Sequence, residues 1–151
     1  MTQDHQVAIL IPLAVAAGAV ACTIIIRALA VIATVNFVRR ERRLGRAGAR
    51  FLIDLSIVAL AMFVALVAHL IEIAIWAVLF LLCGQFSDFG TAYYHSAINY
   101  TTLGYVTMTP SWRMLAPLEA ANGMLMFGVS TAIIFVVMQR LIQARFADLR
   151  D

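Results

Sequence analysis

Apolar residues in this chain come in three long blocks, separated by short stretches where polar residues cluster. The blocks run over about residues 7–36, 51–83 and 118–140. Each reaches the ~20 residues that an α-helix needs to cross the hydrocarbon core of a bilayer. The second is the longest: at 1.5 Å per residue it extends about 50 Å, against a core of ~30 Å, so it is expected to tilt or to project beyond the membrane. Between the second and third blocks the pattern changes. Ser87-Asp88 reads as an N-cap, and residues 88–100 predict a helix too short to span. Residues 101–109 are not apolar enough to span either. Non-helical backbone at membrane depth survives only where it is buried in protein or lines a water-filled cavity, so this segment reads as re-entrant.

Punctuation supports these limits. Cys83-Gly84-Gln85 is a C-terminal stop for the second block, and Pro110, Trp112 and Arg113 mark an interface. Pro117 suits the first position of the last helix, with Glu119 in its first turn.

Composition agrees: 64% of the 151 residues are hydrophobic and only 13% charged. That excludes an ordinary soluble domain and predicts one small all-α membrane protein. The leader, residues 1–6, holds Asp4 and no basic residue, so the first block is expected to be a retained helix rather than a signal peptide. The basic residues are all arginine, and six of the eleven lie between Arg39 and Arg50. A second group, Arg140, Arg145 and Arg150, follows the last block. Arginines flanking spans read as positive-inside charge. They set an outside N-terminus and a cytoplasmic C-terminus, and no nucleic-acid partner is expected. Cys22 and Cys83 differ in depth by several turns, so no bond between them within one chain is expected.

Ionisable residues inside the blocks call for partners. Arg27 is placed to reach toward Asp54 or the headgroups; a voltage sensor needs several arginines at three-residue spacing, and this helix has one. His69 and Glu72 share a face of the second helix. They are expected to hydrogen-bond to the short helix and support it, through Asn99, Tyr93 or His95. The alternative is a proton-sensing site. A metal or haem held by His69 and His95 lacks further ligands, and no cofactor is expected beyond permeant ions.

The run Thr101-Thr102-Leu103-Gly104-Tyr105 follows the short helix directly, and the last helix carries Gly123 and Gly128. With the order of helix, short helix, loop and helix, these residues make the chain resemble the tetrameric potassium-channel pore family. The resemblance covers roughly residues 51–143, and residues 1–50, the first helix and basic loop, lie outside it as a peripheral addition. It implies a homotetramer in lipid, with 51–83 as outer helix, 88–100 as pore helix, 101–107 as selectivity filter and 118–140 as inner helix. Backbone carbonyls of Thr102, Leu103, Gly104 and Tyr105 would coordinate K+ or another monovalent cation in place of its hydration shell. Tyr93, Tyr94 and His95 would form an aromatic cuff, and Gly123 or Gly128 a gating hinge. The implied setting is a bacterial inner membrane, and the implied activity is conduction rather than catalysis.

The filter departs from the family's Gly-Tyr-Gly-Asp ending: Val106 and Thr107 stand after Tyr105. Valine is a poor substitute where the backbone needs glycine. Two further expectations follow: a weakly selective or non-selective cation pore, and a non-conducting scaffold or regulatory subunit.

Overall fold

Long runs of leucine, isoleucine, valine, alanine and phenylalanine with few breakers build four helices in this computed structural model: α1 (Thr2–Arg43), α2 (Phe51–Leu82), α3 (Phe89–Tyr100) and α4 (Leu115–Asp148). The structure describes residues 2–45, 51–104 and 108–148. Tyr105, Val106 and Thr107 lie outside the described residues, as do the loop arginines Arg46 and Arg50.

The protein is all-α, and α1, α2 and α4 each carry a stretch long and apolar enough to cross a membrane, with mean hydropathies of 2.3, 2.6 and 1.9. Large apolar side chains such as Leu52, Phe63, Leu66 and Phe135 stand exposed on them. Such surfaces suit lipid rather than water. It is an integral membrane protein.

Helix limits follow local chemistry. α1 outruns its apolar block: Asn36 to Arg43, read from the sequence as part of a loop, continues the helix. Arginine and glutamate are strong helix formers, so charge ends the apolar span without ending the helix. Pro12 lies inside α1 and the helix passes through it. α2 closes in a Schellman motif: Gly84 N–H donates to Leu81 O, Gln85 N–H donates to Phe80 O, and Gly84 takes a φ of 66°. α4 starts at Leu115 rather than 118. Pro117 is thereby its third residue, still within the first turn where a missing N–H costs nothing, and Glu119 moves into the second turn.

Two compact units share these helices, residues 1–26 with 69–127 and residues 27–68 with 128–151. In the first, Trp76, Phe80, Tyr100 and Leu115 are fully buried, with Ala16, Ala19 and Met126 in the same cluster. Thr23 on α1 donates to Asn122 Oδ1 on α4 at 3.2 Å. In the second, Val38, Ile57, Val137 and Leu141 form the core. Arg27 donates to Ser130 Oγ at 2.7 Å. In lipid the hydrophobic effect does not drive helices together; close packing of small residues and polar contacts do. Buried alanines and these two hydrogen bonds supply both, and they give α1 contacts with α4 inside each unit.

Candidate functional site

The site grows from α3. Asp88 caps it: the residue is extended and its Oδ1 accepts from Thr91 N–H at 2.9 Å. Hydrogen bonds from the Thr91 side chain and then its backbone hold the Asp88 carboxyl below the usual aspartate range. α3 therefore starts and ends where the sequence predicts.

Two buried carboxylates grip α3. On one side Tyr100, the last residue of α3 and fully buried, donates its hydroxyl to Glu72 Oε2. The same hydroxyl lies 3.1 Å from His69 Nδ1, which itself lies 3.5 Å from Glu72 Oε2. The tyrosine's single proton goes to the carboxylate, so in this arrangement Nδ1 is the donor to the tyrosine oxygen. His69 also stacks on Phe127, with ring centroids 4.3 Å apart. On another side Ser96 Oγ donates to the carbonyl of Ile73 at 2.8 Å and lies 2.5 Å from Glu119 Oε1. Asn99 is also buried, and among the described residues its Nδ2 finds no hydrogen-bond partner.

The expected partnership is thus redistributed. His69 and Glu72 do reach the short helix, but they meet Tyr100. Asn99 Nδ2 bonds to neither of them, Tyr93 donates to the carbonyl of Leu70 at 3.3 Å, and His95 stacks on Phe86. Tyr94 is exposed. Glu119, expected to serve the dipole of α4, is fully buried against α3 instead, beyond the first turn and bonded to Ser96. The sequence signal for Tyr100 was a hydroxyl at the end of a helix between two apolar spans, since buried tyrosines find hydrogen-bond partners.

Beyond Tyr100 the chain leaves the helix through a second Schellman turn, with Thr102 N–H donating to Asn99 O at 2.9 Å and Leu103 N–H to Ile98 O at 3.0 Å. The left-handed position is held by Thr102, at φ 66°. A β-branched residue there is strained, by about 1–3 kcal/mol. Gly104 is left-handed too, at φ 72°. Among the described residues, the carbonyls of Thr102, Leu103 and Gly104 accept no hydrogen bond. Leu103 is 61% exposed although it lies between two spanning helices. Past the undescribed residues the chain is fastened again, as Thr109 N–H and Oγ1 both donate to Gln85 Oε1, at 3.1 and 2.9 Å.

The two glycines of α4 differ. A Cβ added to Gly123 would lie 3.0 Å from the carbonyl carbon of Tyr100 and nearer still to its oxygen, whereas one added to Gly128 meets nothing within 4 Å. Gly123 therefore has a packing reason: α3 ends against it. Among the described residues no cluster of three His, Cys, Asp or Glu side chains is placed to hold a metal ion.

No curated protein and no solved structure matches the chain. Residues 66–140 match a family model described as Ion channel. That segment runs from the C-terminal half of α2 through α3 and the turn at Thr102 to Gly104 into α4, so the elements that build the site are the ones the family model matches.

Proposed function

We propose that the protein is a homotetrameric channel for monovalent cations, potassium-channel-like in plan and weak in selectivity. The observation that carries this reading is the run of exposed, unbonded carbonyls at Thr102, Leu103 and Gly104. The N–H groups of Thr102 and Leu103 are consumed by the end of α3, which leaves their carbonyl oxygens free to face a passing ion. The C-terminal end of a helix carries partial negative charge, so α3 favours a cation at that point as well. One chain offers too few oxygens to surround an ion, and four-fold closure supplies the rest. Tyr105 would add a further ring.

Alternate left-handed residues, Thr102 and Gly104, depart from strand geometry, in which successive carbonyls point to opposite sides. This supports carbonyls gathered toward one axis. The buried pairs Tyr100–Glu72 and Ser96–Glu119 would keep the end of α3 at that axis. Bending of α4 is assigned to Gly128, which has room, with Gly123 held against α3. The arginine-rich ends support a cytoplasmic C-terminus, and the resemblance supports a bacterial inner membrane.

Weak selectivity follows from Val106 and Thr107, where the family has Gly and Asp. Discrimination needs several consecutive carbonyl rings, and the outer ones are the ones altered. Purified protein in liposomes should be a tetramer by mass and should pass potassium and sodium but not chloride. Bi-ionic reversal potentials should show modest potassium preference, sharpened by Val106→Gly with Thr107→Asp. A stable monomer, or strong potassium preference in the parent, would overturn the proposal. A silent parent made conductive by the double substitution would favour a non-conducting scaffold.

A further inference from the structure

Arg39 and Arg42 on α1 and Arg140 on α4 line one cleft, with Val38, Val136 and Val137 among its apolar walls. Arg39 and Arg42 are three residues apart, hence on one helix face. All three arginines are exposed, and among the described residues none has an ion pair or hydrogen bond. The lining contains no carboxylate. Three like charges held around one cleft repel each other until an anion joins them.

The position narrows what that anion can be. Arg39 is the first charged residue after the apolar run that follows Arg27, and Arg140 is the first after the long uncharged stretch of α4 beyond Glu119. Both therefore stand where a spanning helix leaves hydrocarbon for the headgroup layer. Beside them, Val38 and Val137 belong to the buried core of the unit. A ligand that satisfies both walls has a phosphate at one end and hydrocarbon at the other. The enclosed space is about 70 Å³, room for a few methylene groups and not a whole acyl chain. It suits a headgroup and glycerol end, with the tails running on into the bilayer. Guanidinium groups bind phosphate oxygens in pairs of parallel hydrogen bonds, which arginine does better than lysine.

We propose that this cleft binds the headgroup of an anionic phospholipid from the leaflet at the basic end of the helices. The site depends on α1, which precedes the residues that match the ion-channel family, and it does not rest on conduction. The lipid would act as a counter-ion and a wedge between α1 and α4, tying the peripheral helix to the helix proposed to line the pore.

Native mass spectrometry of the purified full chain, offered phosphatidylglycerol and phosphatidylcholine together, tests this. The parent should retain phosphatidylglycerol at least tenfold over phosphatidylcholine. Combined Arg39→Gln, Arg42→Gln and Arg140→Gln should abolish that preference. Arg40→Gln with Arg43→Gln, which alters the same helix end outside the cleft, should leave it in place. Should the triple variant fail to fold, each single substitution in the cleft should lower retention by several-fold. Equal retention of the two lipids overturns the proposal, as does undiminished retention in the cleft variants. An equal loss in the Arg40/Arg43 variant would mean a diffuse charge effect and overturns it too. Displacement of the lipid by millimolar inorganic phosphate would mark a free-anion site instead.

Discussion

Alanine at the two glycines of α4 should move stability in opposite directions. Glycine inside a helix costs about 1 kcal/mol relative to alanine, so the substitution starts with that gain at either position. At Gly128 nothing lies within 4 Å of the new methyl, and the gain stands. At Gly123 the methyl meets the backbone carbonyl of Tyr100. A flexible side chain could swing aside there, but a carbonyl at the end of α3 cannot move without the helix. Overpacking of this kind costs about 1–3 kcal/mol, and a backbone obstacle puts it at the upper end. The net for Gly123→Ala is a loss of roughly 1–2 kcal/mol after the propensity gain. For a chain of this size 1 kcal/mol corresponds to about 2–4 °C in melting temperature. Circular dichroism at 222 nm in one detergent should show Gly123→Ala melting ~2–8 °C below the parent and Gly128→Ala ~2–4 °C above it. The Gly123 variant should also lose conductance, because the displaced carbonyl ends α3, directly before the proposed filter. If Gly123→Ala melts at or above the parent, the close approach of α3 to α4 is wrong.

Tyr100→Phe removes the hydroxyl shared by Glu72 and His69 and should cost about 1.5–3 kcal/mol, the range for a hydrogen bond to a charged group; Tyr93→Phe, whose hydroxyl makes one longer bond, should lose less, and equal melting of the two variants would refute the clamp. Thr102→Gly should relieve the left-handed strain and raise the melting temperature while altering ion flux, because a threonine kept there at a cost points to function; a fall in melting temperature would show that its side chain stabilises the fold. The Asp88 carboxyl is held below its ordinary value by Thr91, so its contribution is fully present above about pH 4 and is lost as pH falls through the folded-state value. Asp88→Asn keeps an acceptor for Thr91 N–H, and its melting temperature should fall less than the parent's between pH 5 and about pH 3. Parallel curves would remove Asp88 from the acid response.

What could be read from the sequence was whatever local chemistry decides. α3 was legible at both ends because Asp88 is a strong cap and the backbone must stop being helical before Gly104. α1 was cut short on paper because Arg39 to Arg43 resemble a loop in polarity while behaving as helix formers. Placing Pro117 at the first helical position hid the role of Glu119: the helix starts two residues earlier, which carries Glu119 past the first turn, where a carboxylate serves the dipole, into the packed length of α4. His69 and Glu72 could be assigned to the support of the short helix from their shared face alone. Which residue they would meet could not, since that depends on how α3 is rotated about its own axis, a property set by packing of Tyr100, Ser96 and Asn99 together.

The paired bonds from Thr109 to Gln85 have a practical consequence for anyone wishing to alter this protein. With Tyr100 buried at one end and Thr109 tethered at the other, the stretch between them is a cassette mounted on two fixed posts. The residues to exchange or label are those beyond the capping turn of α3 and short of Met108, which packs against the core. A library of loop sequences grafted between those posts would sample ion preference on a constant scaffold, and Gln85 is the residue that any such library should leave alone.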